Sequence, residues 1–132
     1  MVAGTIHILP TDYSPEFLLS PEGNIKIKGR GLFGSKTEIP EQIMNWIDEY
    51  LSNPAEITYI FIAFEYLNSF STTILVSIFK KITQVIFLNK KFVIHWYYEE
   101  GDEDILERGE YITETYNIPN EFIIANDIYT CC

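Results

Sequence analysis

Eight uncharged residues in a row, Ile57 to Phe64, followed closely by a helix-periodic stretch, most constrain what this chain can fold into. A run of that length without alternation reads as a central strand covered on both faces. After it, Ile74, Leu75, Ile78, Phe79, Ile82, Val85 and Ile86 recur at three and four, with Ser77, Lys80, Lys81 and Gln84 opposite. That spacing predicts an amphipathic helix from about Ser71 to Leu88, stopped at Asn89. Phe92 to Tyr98 repeats the strand pattern. An earlier helix is expected from Pro40, with Ile43, Met44, Trp46, Ile47, Tyr50 and Leu51 on one face and Asn53-Pro54 ending it. A later helix turns Ile105, Leu106, Ile112 and Tyr116 inward, ends at Pro119, and precedes a last strand over Phe122 to Ala125. Strands alternating with helices imply parallel neighbours joined by right-handed crossovers.

The N-terminal region follows a different pattern. Thr5 to Leu9 and Glu16 to Leu19 are short extended segments. Pro21-Glu22-Gly23-Asn24 is a turn, and Ile25-Lys26-Ile27-Lys28 alternates as a half-exposed strand. A hairpin follows, placing Phe17 and Leu19 opposite Ile25 and Ile27. Gly29 to Gly34 reads as a flexible loop carrying Arg30. The expected fold is α/β, a mixed sheet of four or more strands with an N-terminal hairpin and about three helices.

The 132 residues suit a single domain over 1–132. No uncharged apolar run reaches about 18 residues, so no membrane span is expected. The start, Met1-Val2-Ala3-Gly4, lacks the features of a signal peptide, which makes cytoplasmic the default location. A net charge of −10 disfavours nucleic acid and anionic membranes and favours a protein partner with a basic face. The only cysteines, Cys131 and Cys132, adjoin at the end of the chain. They read as a frayed terminus rather than a disulfide scaffold or a zinc site.

The candidate switch is Tyr66-Leu67-Asn68-Ser69-Phe70-Ser71-Thr72-Thr73, where strand hands over to helix. The first N–H groups of a helix lack intrahelical partners and favour an anion. Phosphate on a hydroxyl there adds about −1.5 to −2 charges. Ser69 is the first candidate acceptor and Ser71 the second. Asn68, Ser69, Ser71 and Thr72 form the expected partner-binding edge; the ordinary alternative is simple N-capping. In Glu99-Glu100-Gly101-Asp102-Glu103-Asp104, the carboxylates of Glu99, Glu100 and Asp102 suit docking of a basic partner. The plainer reading is a solvated loop complementing the next helix's N-terminus, and metal binding ranks last. Arg30 is a further candidate for phosphate or partner contact. Trp96 and Tyr98 share one strand face and Tyr97 the other, and aromatics of this kind serve either a binding surface or a core. His95 reads as a core residue, and His7 has no evident acid partner.

Taken together, Tyr66-Leu67-Asn68-Ser69 with Ser71-Thr72, Trp96-Tyr97-Tyr98-Glu99-Glu100, Asp102-Glu103-Asp104 and Glu107-Arg108-Gly109-Glu110 resemble the SiaC-like regulatory phosphoproteins of bacteria. Gly29-Arg30 and Trp46 with Tyr50 also fall where that family has a Gly-Arg and a Trp-Leu-x-x-Tyr helix. The resemblance spans roughly residues 11 to 126. It implies a fold like that of anti-sigma-factor antagonists (STAS-like), no enzymatic activity and no cofactor. It further implies a dedicated Ser/Thr protein kinase, a PP2C-type phosphatase, and binding of the bare form to a diguanylate cyclase, hence control of cyclic-di-GMP and biofilm formation. The family's phosphoacceptor Thr corresponds to Ser69. Phe70 and Thr73 depart from the family pattern, as does Gly31-Leu32-Phe33-Gly34-Ser35 in place of Pro-Glu-Asn, which marks a divergent member. A constitutive scaffold without the switch is the alternative, and a metal-dependent enzyme using Asp102 and Asp104 stands behind it.

Overall fold

The computed structural model describes residues 3–34 and 37–132. Met1 and Val2 of the start, and Ser35 of the Gly31–Ser35 stretch, lie outside the described residues. Six strands form one sheet in the order of the chain: β1 (Ile6–Ile8), β2 (Glu16–Ser20), β3 (Asn24–Gly31), β4 (Ile57–Leu67), β5 (Lys91–Glu99) and β6 (Asn120–Ala125). The first two pairings are antiparallel and the remaining three parallel. Helices α1 (Ile39–Leu51), α2 (Ser69–Ile82) and α3 (Glu103–Thr115) make the crossovers, and a 3-10 segment, Thr83–Leu88, extends α2. The α/β class, the N-terminal hairpin and the three helices are as expected. The hairpin register sets Phe17 against Ile27 and Leu19 against Ile25.

Three successive crossovers advance in the same direction across β3, β4, β5 and β6. Right-handed connections of this kind place all three helices on one face. Their apolar stripes bury Ile43, Trp46, Ile47 and Tyr50 from α1, and Leu75, Ile78, Phe79 and Ile82 from α2, against Ile25, Ile27, Ile60, Ile62, Ile94 and Trp96 of the sheet. The stretch Ser69–Leu88 is long and apolar enough, by length and composition alone, to cross a membrane, but its inward stripe packs in this core.

Four expectations need correction. First, β4 is not covered by helices on both faces: Tyr59 and Phe61 remain half-exposed on the helix-free side. Second, Gly29-Arg30-Gly31 is strand rather than loop. The ladder with β4 continues through Arg30↔Tyr66 and Gly31↔Leu67, overriding the low strand preference of glycine. Third, Ile86 and Tyr116 point outward, because the tighter 3-10 turn leaves Val85 inward and because Tyr116 caps α3 beneath the Lys80 ammonium, 5.0 Å from its ring.

The fourth correction concerns the C-terminus, which is not frayed. Residues 126–132 cross the helix-free face of the sheet. Ile128 is buried, and its N–H donates to Glu99 Oε2 at 3.1 Å. Lys28 Nζ donates to the Tyr129 carbonyl and Lys26 Nζ to that of Cys132, each at 3.2 Å. The Tyr129 hydroxyl donates to Glu65 Oε2 at 2.8 Å. Burial, then this bond, push the Tyr129 phenol up to about 12. Burial and contact with Cys131 likewise push the Cys132 thiol up to about 12. The two sulfurs stand 3.1 Å apart, unbridged.

Candidate functional site

Asn68 is the N-cap of α2. Its backbone is extended and Oδ1 accepts the Ser71 N–H at 2.8 Å, satisfying one of the orphan donors of the first turn. Ser69 is therefore the first helical residue. It is exposed, and among the described residues its hydroxyl makes no hydrogen bond, so the acceptor expected from the sequence stands in solvent beside the unpaired first-turn N–H groups. The exposed rings of Tyr66 and Phe70 neighbour it in the chain.

Ser71 has a different surrounding. It is 4% exposed, and its Oγ accepts the Phe33 N–H at 2.9 Å. Asn68 Nδ2 donates to the Phe33 carbonyl at 3.3 Å, and Asn68 N–H donates to Gly31 O at 2.8 Å. Both backbone groups of Phe33 are thus gripped by the first turn of α2, and the Phe33 ring packs against Phe17 with centroids 6.1 Å apart. The second candidate acceptor is a buried latch between the β3–α1 loop and α2. Replacing Ser71 with alanine strands the Phe33 N–H and is expected to cost about 1–3 kcal/mol. Amide exchange at Phe33 should accelerate more than the fall in global stability explains; unchanged protection would remove the latch.

Thr72 half-faces α3. Its hydroxyl donates to Asn68 O at 2.9 Å, and its side chain lines a groove of about 300 Å³ with Glu107, Arg108 and Tyr111. Arg108 Nε pairs with Asp104 one turn earlier on α3, at 3.1 Å. Arg108 belongs to the Glu107-Arg108-Gly109-Glu110 motif of the resemblance, but the motif gives it no role of its own; the packing of α3 beside α2 places it in this groove.

The other candidate residues are dispersed. Arg30 lies with Lys26 and Lys28 on the helix-free face, 3.3 Å from Glu65 and 5.1 Å from the centroid of the Tyr66 ring. Glu99 holds the C-terminal segment. Asp102 is the N-cap of α3, its Oδ1 accepting the Ile105 N–H at 3.2 Å, and Glu103 and Asp104 occupy the positive first turn. Glu100 is exposed. Among the described residues no group of three or more His, Cys, Asp and Glu side chains comes close enough to hold a metal ion. Trp96 is fully buried, with Nε1 donating to Ile105 O at 3.1 Å, so it belongs to the core. His95 is half-buried on the opposite face, edge-on to Tyr59 and Phe61.

No curated protein sequence matches the chain. Solved structures do match its fold. A chain in the crystal structure of the diguanylate cyclase SiaD in complex with its activator SiaC, from Pseudomonas aeruginosa, superposes with a TM-score of 0.82. It is 18% identical, over 91% of this chain and 99% of that one. Apo-SiaC from the same organism gives 0.79 at 17% identity, over 91% and 98%. The family model of the SiaC family regulatory phosphoproteins matches residues 8–125, ending just before the segment that crosses the sheet. The chain belongs to the SiaC family of regulatory phosphoproteins.

Proposed function

We propose that this protein is a non-enzymatic regulator that binds and activates a diguanylate cyclase when bare, and releases it when Ser69 is phosphorylated. The observation that carries the reading is the Ser69 hydroxyl, exposed at the first position of α2 immediately after the Asn68 cap, in a member of a regulatory phosphoprotein family. A Ser/Thr protein kinase would add the phosphate and a PP2C-type phosphatase remove it. The fold it shares with a structure of an activator bound to its cyclase supports the choice of partner. A phosphate at Ser69 brings up to two negative charges to a surface edged by Tyr66, Phe70 and Thr72, where a misplaced charge weakens an interface by about 2 kcal/mol, roughly 30-fold.

The test has two parts. Intact-mass analysis after incubation with the cognate kinase should show one phosphate on the native protein and none on Ser69→Ala. A cyclase pull-down should recover native protein and Ser69→Ala, but lose the phosphorylated form and Ser69→Glu. Phosphate at another residue, or equal recovery of all four, sinks the switch. Cyclase binding without any phosphorylation would assign the chain to constitutive scaffolding instead.

A further inference from the structure

We propose that this protein associates head to tail with copies of itself, an apolar knob ringed by lysines at one end entering an acid-rimmed cleft at the other. The knob is the 3-10 segment after α2. Phe87 is 85% exposed there, with Ile86 and Leu88 about half exposed on either side. Three consecutive large apolar side chains in solvent are what a covered interface presents when its partner is away. Four of the nine basic residues of the chain, Lys80, Lys81, Lys90 and Lys91, lie within seven residues of Phe87. Lys81 pairs with Asp48 and Lys90 with Glu56; the lysines are half-buried and their carboxylate partners exposed, so each pair is open to solvent on one side. Lys80 rests on the Tyr116 ring, and Lys91 is exposed.

The receiving end belongs to the same molecule. Between the start of α3 and β6, Tyr98, Leu106 and Ile124 wall a cleft of about 210 Å³ whose rim carries Glu100, Asp102 and Glu103. Five of the six residues from Glu99 to Asp104 are carboxylates, and Ile124 is 58% exposed in the apolar wall. Apolar wall meets apolar knob, and acidic rim meets lysine ring. The knob directly precedes β5 and the cleft follows it, so the two surfaces sit at opposite ends of one strand. A contact between them is heterologous and leaves a free knob and a free cleft after each addition, so it propagates rather than closing as a pair.

Sedimentation velocity of the full chain over a concentration series tests this. The weight-average mass should rise with concentration, pass that of a dimer, and fall back in about 0.5 M salt, where screening is nearly complete within a few ångström. Phe87→Asp and Ile124→Lys should each remain monomeric, with association weakened more than tenfold. Both positions are solvent-facing, so an unchanged urea midpoint certifies folding. An equimolar mixture of the two variants should form a heterodimer and nothing larger, because each retains one intact surface. A monomer at every concentration overturns the proposal. Association that survives either substitution also overturns it, as does a mixture that stays monomeric. Binding of the knob to phosphatidylserine vesicles without self-association would assign it to lipid and overturn the proposal too.

Discussion

Gly23→Ala is expected to lower the unfolding free energy by about 2–5 kcal/mol, the sum of backbone strain of about 1–2 and a packing clash of about 1–3. Gly23 closes the β2–β3 hairpin with φ +107°, a conformation that L residues rarely adopt. Its N–H donates to Ser20 O at 3.0 Å, which fixes the turn. Its carbonyl accepts the Tyr59 N–H at 2.7 Å, which joins the turn to β4. An added Cβ would stand 2.5 Å from Ile57 O and 2.9 Å from Ala55 Cβ, and the first of these is backbone within the sheet, so no rotamer relieves it. A urea titration measures the loss as a shift in midpoint at unchanged slope. Gly4→Ala is the control: its Cβ would meet nothing within 4 Å, and its stability should match or slightly exceed the native value. Equal behaviour of the two variants would refute the argument.

Gly109→Ala is expected to cost about 2–3 kcal/mol, although alanine is the better helix former by about 1 kcal/mol. The reason is the approach of α3 to Trp96. A Cβ at position 109 would lie 2.5 Å from Trp96 Cε2 and 2.7 Å from both Cδ2 and Nε1. The indole is fully buried, faces Phe64 at 6.4 Å, and donates to Ile105 O one turn away on the same helix. It cannot swing aside without losing that bond, worth about 1 kcal/mol. The helix must therefore lift, and the groove that Arg108 and Tyr111 share with Thr72 widens with it. Near-ultraviolet circular dichroism should report the displaced tryptophan. In a double-mutant cycle with Trp96→Phe, the second substitution should cost less in the Gly109→Ala background than alone. Additive costs would mean that the two residues do not press on each other.

These two glycines divide what could be read from the chain and what could not. Gly23 was legible: a Pro-Glu-Gly-Asn turn between alternating segments names both the hairpin and its register. Gly109 was not, since a lone helix glycine says nothing of the ring it must accommodate until β5 and α3 are neighbours. The same line runs through the candidate site. Asn68 and Ser69 lie where the hand-over from strand to helix predicts them, because capping is a matter of three or four consecutive residues. Ser71 looked equivalent and proved to be a buried latch, since its partner Phe33 is 38 residues away.

What the sequence by itself determined is the order of strands and helices, the hairpin register and the parallel character of the later strands; it narrowed the cap of α2 to Asn68, Ser69 or Ser71, and the structure chose Asn68. All of these arise from periodicity and turn chemistry within a few residues. Only the tertiary structure decided that every helix lies on one face, that residues 126–132 cross the other, that β3 runs on through Gly31, and that Arg30 stands against Glu65 and the Tyr66 ring. The physical reason is separation along the chain. A contact such as Lys28 with Tyr129 joins residues 101 positions apart, and it exists only once neighbouring strands have set which side chains share a face.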